Sequence, residues 1–234
     1  SHQLVGGKAF ILSTNRKNLS LPMPRGFVIT ANSYNYFLEK NNLRERIDGE
    51  LARLDINSAH SLEKTSKVLV ERILSGQVPT AVEEEITAAL KEIRKDQQGK
   101  LGLSVRSSAV GEDSVASFAG QYESVLNVAP NRIVDSYKEV IASKYSPKAL
   151  NYRINYGLSD RETPMAVLVL EMIDAGASGV VYTVDPEDPS DDTLLIHCIW
   201  GLGKLLVDGS VTTSVIRVKK EPPYELERDQ EIFQ

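Results

Sequence analysis

The feature that most restricts what this chain can fold into is the run from Leu103 to Val128. Leu101 to Arg106 reads as a strand that ends in an arginine, and Gln121 to Val128 reads as another strand. Between them lies Ser107 to Gly120, a loop of small and hydroxyl residues that includes Glu112-Asp113-Ser114-Val115-Ala116-Ser117-Phe118-Ala119. Loops of this length inside a compact domain are either functional or disordered. Phe118 in the middle does not suit a solvated linker. Arg106 followed by Ser107 and Ser108 makes a workable phosphate device. A guanidinium grips phosphate oxygens as a fork, hydroxyls add donors, and successive backbone N–H groups form a nest. Taken alone, the same residues also describe an ordinary surface loop.

The remaining composition sets the class. At 234 residues the chain is long enough for one large domain or two small lobes with a real hydrophobic core. Apolar residues make up 41% and charged residues 25%, as in ordinary globular proteins. The net charge of -5 lacks the basic surplus of nucleic-acid binders, yet a few local cations suffice to hold a phosphate. The single cysteine, Cys198, permits no internal disulfide and no cysteine-rich metal site. In the apolar run Leu194 to Trp200 it reads as a buried, inert thiol. No apolar run reaches the roughly 20 residues of a membrane helix, and no signal peptide is visible. A cytoplasmic location is the expectation.

The periodicities predict helix first and strand later. Phe27 to Thr30 is a short strand, and Thr30 or Asn32 caps a helix that runs to about Ile47. Ser61 to Leu74 and Ala81 to Arg94 have helical spacing, with Val82, Ile86, Leu90 and Ile93 on one face. Further helices begin at Pro130 and Ser146. Strands follow at Pro164 to Met172, Gly179 to Thr183, Leu194 to Trp200 and Ser214 to Lys219. This is an α+β pattern of two lobes, residues 1–163 and 164–234, and a cleft between lobes is a common ligand site.

Two more stretches can carry chemistry. Gly6-Gly7-Lys8 allows close backbone approach and supplies a mobile cation, though it is not the nucleotide-binding P-loop and as a bare tripeptide reads as a turn with a solvated lysine. Leu168 to Thr183 runs from an apolar strand through Glu171-Met172-Ile173 and a small-residue turn into a second strand. It reads either as a hinge offering backbone groups to a flat base or as a plain β-hairpin.

In this order the stretches resemble the nucleotide-binding domain of phosphoenolpyruvate synthase and pyruvate phosphate dikinase, which rifampicin phosphotransferase shares. The family pattern V-G-G-K matches Val5-Gly6-Gly7-Lys8, and L-P-x-P-x-G-F-V-I-T matches Leu21 to Thr30. The pattern V-R-S-S-A-x-x-E-D-x-x-A-S-F-A-G-Q-x-x-x-x-L-N-V is intact from Val105 to Val128. G-A-S-G-V-x-x-T-x-D-P matches Gly176 to Pro186, and W-G-L-G matches Trp200 to Gly203. The resemblance implies an ATP-grasp type fold with ATP between two lobes. It implies that Lys8 and Arg106 are the catalytic cations on the phosphates, with Gly6, Gly7, Ser107 and Ser108 beside them. It implies that the loop through Ser117, Gly120 and Gln121 covers the phosphates and that Glu171-Met172-Ile173 is the adenine hinge. ATP and Mg2+ are the implied cofactors, with catalysis by positioning and charge neutralisation. The implied partners are phosphohistidine and pyruvate-binding domains of the same full-length protein, with no nucleic acid and no membrane.

The chain also departs from the family. The phosphohistidine pattern T-S-H-x-A is absent, and His2, His60 and His197 read as structural or exposed. The family's acidic D-I-E-W-like segment is not reached by Gln234, so the expectation is a truncated piece, inactive by itself, that lacks the metal ligands. Gly201-Leu202-Gly203-Lys204 stands where the family has G-L-G-E, and Ser214 follows Val211-Thr212-Thr213 where it has V-x-P-D. A carboxylate exchanged for a cation keeps two other readings open: transfer to a different acceptor, as in the rifampicin type, or a non-catalytic nucleotide-binding module.

Overall fold

The computed structural model describes residues 1–19, 22–95, 102–111, 120–222 and 226–228. Helix and sheet are both present, in the α+β manner, and the chain divides into two compact units, Ser1–Met172 and Ile173–Gln234.

The first unit is built on β1 (Gly26–Ile29), β2 (Leu103–Ala109), β3 (Ser124–Val128) and β4 (Met165–Glu171). The strand order is β1-β4-β2-β3, and every neighbour is antiparallel. β4 is central and buried from Met165 to Val169, so its apolar run is continuous rather than alternating. It pairs along its whole length with β2. This pairing is why the first unit extends to Met172, whereas the sequence pattern places the division after Thr163. One face of the sheet, with Ile29, Leu103, Val105, Ala109, Met165, Val167 and Val169, enters the main core.

Helices supply most of the rest of that core: α2 (Ala31–Lys40), α3 (Arg44–Ala52), α4 (Ala59–Ser75), α5 (Thr80–Arg94), α6 (Ile133–Ala142) and α7 (Pro147–Asn155), while α1 (His2–Leu19) packs against β2 through Gly6. Val82, Ile86, Leu90 and Ile93 of α5 are buried, as their spacing predicts. Thr30 caps α2 by accepting the Ser33 N–H. The continuous helix expected from there to Ile47 is instead two helices. Asn41 ends α2: its Nδ2 donates to the carbonyls of Phe37 at 2.8 Å and Gln77 at 2.9 Å, and its Oδ1 accepts the Gln77 N–H. Asn42 then turns the chain with φ 52°, a conformation asparagine tolerates better than most residues.

A buried polar network lies inside this helical layer. Asp160 accepts from Lys144 Nζ at 2.9 Å and Arg153 Nη1 at 2.7 Å through one carboxylate oxygen. Its other oxygen accepts the Tyr145 hydroxyl, which in turn accepts from Tyr34. Lys144 also donates to the Asp160 carbonyl at 2.8 Å and to the Tyr34 hydroxyl at 3.3 Å.

The second unit is an antiparallel meander of β5 (Ala177–Tyr182), β6 (Thr193–Trp200), β7 (Ser214–Lys219) and β8 (Leu226–Arg228), with the short α8 (Lys204–Val207) after β6. Among the described residues, Leu195 and Ile199 are its buried apolar positions. β4 and β5 belong to different sheets, which removes the plain-hairpin reading of Leu168 to Thr183. β8 has no counterpart in the sequence pattern. Cys198 is half-buried, with Sγ 3.6 Å from the Ser214 carbonyl oxygen. Trp200, at the end of β6, is 65% exposed.

Candidate functional site

The Gly6-Gly7-Lys8 segment sits inside α1, not in a free turn. Gly6 has φ 73° and ψ 173°, which interrupts the helix, and the helix resumes at Gly7. The cause is contact with β2. A Cβ on Gly6 would lie 1.9 Å from the Ser108 carbonyl oxygen. Only glycine combines this φ with so close an approach. Ser108 completes the contact from below: its hydroxyl donates to the Val5 carbonyl at 2.8 Å and accepts the Ala9 N–H at 3.1 Å. Gly6 and Gly7 are buried and Lys8 is half-buried.

β2 continues past Arg106 to Ala109, three residues further than the sequence pattern suggests. Its register with β4 is unbroken from Leu103 to Ala109, so its side chains alternate between faces. Leu103, Val105, Ser107 and Ala109 share the core face, while Ser104, Arg106 and Ser108 share the face on which Gly6 packs. Arg106 is exposed. The fold therefore brings Arg106 and Gly6-Gly7-Lys8 to one face of one sheet. It turns Ser107 to the other face, where it is buried. Ser108 is buried on the shared face, with its hydroxyl proton already donated to Val5.

Ser117 and Phe118 lie outside the described residues. The stems on either side of them are tied down. Before them, the Val110 N–H donates to the Pro164 carbonyl at 3.0 Å. After them, the Gly120 carbonyl accepts from Lys148 Nζ at 2.8 Å, and the Glu123 N–H donates to Ser143 Oγ at 3.0 Å. Gln121 between these anchors is half-buried, and the Tyr122 side chain is buried.

Glu171 pairs with Leu103, at the opposite end of β2 from Ser108, which pairs with Ala166. The Glu171 N–H donates to the Arg25 carbonyl and the Met172 N–H to the Gly102 carbonyl, both at 2.9 Å. These two N–H groups thus prolong the sheet. The Glu171 carboxylate accepts from the Arg25 N–H at 3.3 Å and from Arg25 Nε at 3.4 Å. Sequence reasoning gave Arg25 no role, because its partner is 146 positions away and no local pattern links them. Ile173 is exposed and opens the second unit.

In the second unit the two remaining motifs prove to be one structural feature. The Gly201 N–H donates to the Gly176 carbonyl at 2.9 Å, and Ser178 Oγ donates to the Gly201 carbonyl at 2.7 Å. A Cβ on Gly203 would meet that of Ser178 at 3.2 Å. Lys204 is exposed at the start of α8. Asp185 accepts from Arg217 Nη1 at 2.8 Å and from the Glu187 N–H at 2.9 Å; the Arg217 hydrogen bond, then that of Glu187, hold its carboxyl below the usual carboxylate range. His197 is paired through Nδ1 with the Thr213 hydroxyl at 3.0 Å. Among the described residues no group of three or more His, Cys, Asp or Glu side chains is placed to hold a metal ion, and no helix is long and apolar enough to cross a membrane.

Comparison with known proteins adds identity to this geometry. The family described as "Pyruvate phosphate dikinase, AMP/ATP-binding domain" matches residues 2–231. The probable phosphoenolpyruvate synthase of Staphylothermus marinus is 35% identical over 223 residues, covering 93% of this chain and 27% of the relative. The phosphoenolpyruvate synthase of Aquifex aeolicus is 37% identical over 217 residues, covering 89% and 25%. That of Escherichia coli K12 is 32% identical over 223 residues, covering 92% and 28%. The chain thus spans about a quarter of the length of these relatives.

Proposed function

Because the chain belongs to the pyruvate phosphate dikinase AMP/ATP-binding domain family, we propose that it binds ATP on the face of β2 shared by Arg106 and Gly6-Gly7-Lys8. It serves as the nucleotide-binding part of a phosphotransferase of the phosphoenolpyruvate synthase kind. The observation that carries this reading is the contact of Gly6 on Ser108, which sets a half-buried lysine and an exposed arginine on one face of one sheet.

In this reading Lys8 and Arg106 neutralise the phosphate oxygens, the arginine as a two-pronged donor and the lysine as a point charge. Gly120, Gln121 and, on the sequence pattern, Ser117 border the phosphates. Ser107 contributes backbone only, and Ser108 acts from behind. Glu171-Met172-Ile173 receives the base. By strand rise the Glu171 end of β2 lies roughly 17 Å from the Ser108 end, a scale that suits an extended nucleotide. The two-unit architecture is read as ATP-grasp type. Mg2+ has no acidic cluster to bind among the described residues, so the work assigned to these side chains is binding, orientation and charge neutralisation. The phosphoryl or pyrophosphoryl group then passes to a histidine on a separate domain of the full-length protein, and onward to pyruvate. This chain by itself completes no turnover.

Two measurements on the full-length protein test the reading. In an ATP titration, Arg106→Ala is expected to weaken binding by at least about tenfold, the scale of one charge-assisted hydrogen bond. Unchanged affinity in an Arg106→Ala, Lys8→Ala double variant overturns the site. Incubation with ATP and pyruvate is expected to yield phosphoenolpyruvate and AMP, and no product under any divalent metal overturns the acceptor.

A further inference from the structure

Ser108 is wholly buried, and among the described residues both hydrogen bonds of its hydroxyl go to α1: it donates to the Val5 carbonyl and accepts from the Ala9 N–H. Those two partners flank Gly6, where φ 73° and ψ 173° interrupt the helix. With the helix restarting at Gly7, Gly6 stands at the cap position and Ala9 is the third residue of the new helix. The first N–H groups of any helix lack partners within it, and a serine at the cap ordinarily answers the second or third of them with its side-chain oxygen. Gly6 carries no such side chain and has no room for one. A Cβ there would lie 1.9 Å from the Ser108 carbonyl oxygen and 2.7 Å from its Oγ. The oxygen of Ser108 meets the N–H that a cap side chain would ordinarily meet.

We propose that Ser108 is a positioning residue, a helix cap delivered from a neighbouring strand, which fixes Gly6-Gly7-Lys8 and so aims Lys8 at the same anion that Arg106 holds. This deepens the site proposed above and rests on the reading of Lys8 and Arg106 as phosphate ligands. Arg106 precedes Ser108 by two residues on the same face of β2. One strand therefore sets both cations, bearing the first and registering the second through the cap. The competing role, a hydroxyl that donates to phosphate, requires the proton that the Val5 carbonyl holds. Ser107 does not supply it either, since it is buried on the core face.

Amide hydrogen exchange on the full-length protein without nucleotide reads the cap itself. Ser108→Ala is expected to accelerate exchange at Ala9 by about fivefold, the effect of losing one side-chain cap, with β4 amides unchanged. Ser108→Cys keeps the shape, weakens the acceptor, and shows the same direction; it replaces the alanine variant if that one does not fold. Wild-type exchange at Ala9 in the folded variants overturns the cap. A double-mutant cycle on ATP affinity then reads the aim of Lys8. Ser108→Ala is expected to weaken ATP binding about tenfold on its own, as for one misplaced charge-assisted hydrogen bond, and not at all in a Lys8→Ala background. Equal losses in both backgrounds make Ser108 a direct ligand or a plain stabiliser and end the proposal. If the unmutated protein binds no ATP, the site reading fails, while the exchange result still decides the cap.

Discussion

A methyl group added at position 6 would meet a backbone oxygen at 1.9 Å and would have to accept a φ of 73°. Neither demand can be met by a rotamer change, because the opposing atom belongs to the central strand β2. Gly6→Ala is therefore expected to destabilise the protein by more than about 2 kcal/mol, read as a lowered denaturation midpoint; an unaltered midpoint would mean that α1 can leave β2 freely. The residue types of the proposed site are visible in the sequence: paired glycines with a lysine, and an arginine at the end of an apolar run. What is not legible is the division of labour between Ser107 and Ser108. It depends on where β2 ends, and the small residues after Arg106 resemble a loop as much as a strand. Arg25 is illegible for another reason, since its partnership with Glu171 exists only once β1 and β4 pair.

Among the elements, the strongly periodic ones are readable and the ones set by long-range pairing are not. The apolar face of α5 gives itself away, whereas the break after α2 is made by Asn41 reaching Gln77 in the connection between α4 and α5. The small residues between β4 and β5 look like a hairpin turn, yet each strand finds its partners in a different sheet. The buried network of the helical layer has no sequence signature either. Its charges are Lys144, Arg153 and Asp160, with Tyr34 and Tyr145 around them and Arg44 acting on Lys144 from α3. Burial lowers the Lys144 pKa to about 7, and Arg153 adds to the effect against the pull of Asp160. Between about pH 7 and the ordinary lysine range, the unfolded chain then holds a proton that the folded chain does not. Stability accordingly rises with pH in that window, by up to about 1.4 kcal/mol per pH unit from this group. The buried tyrosines, whose pKa values burial raises, reverse the trend above about pH 10. Thermal melts from pH 7 to 9 are expected to show the rise in the wild type and a flatter profile in Lys144→Met. Parallel profiles would show that Lys144 keeps its proton across the window.

On the scale of the whole chain, the main core is drawn entirely from residues between Ile29 and Val169, inside the first compact unit. Residues 1–172 are therefore expected to unfold cooperatively when expressed alone, with a midpoint close to that of the whole chain. A broad, non-cooperative melt would show that the second unit completes the core. That unit has few buried apolar side chains, Leu195 and Ile199 among them, and four strands with so small a core are marginal by themselves. The chain's only tryptophan, Trp200, lies in this second unit, largely exposed at the end of β6. Among the described residues, all the helices but the four-residue α8 lie in the first. Indole fluorescence thus follows one unit and helical ellipticity the other, with no label added. The separation between the two melting curves measures directly how far the halves of this chain come apart independently.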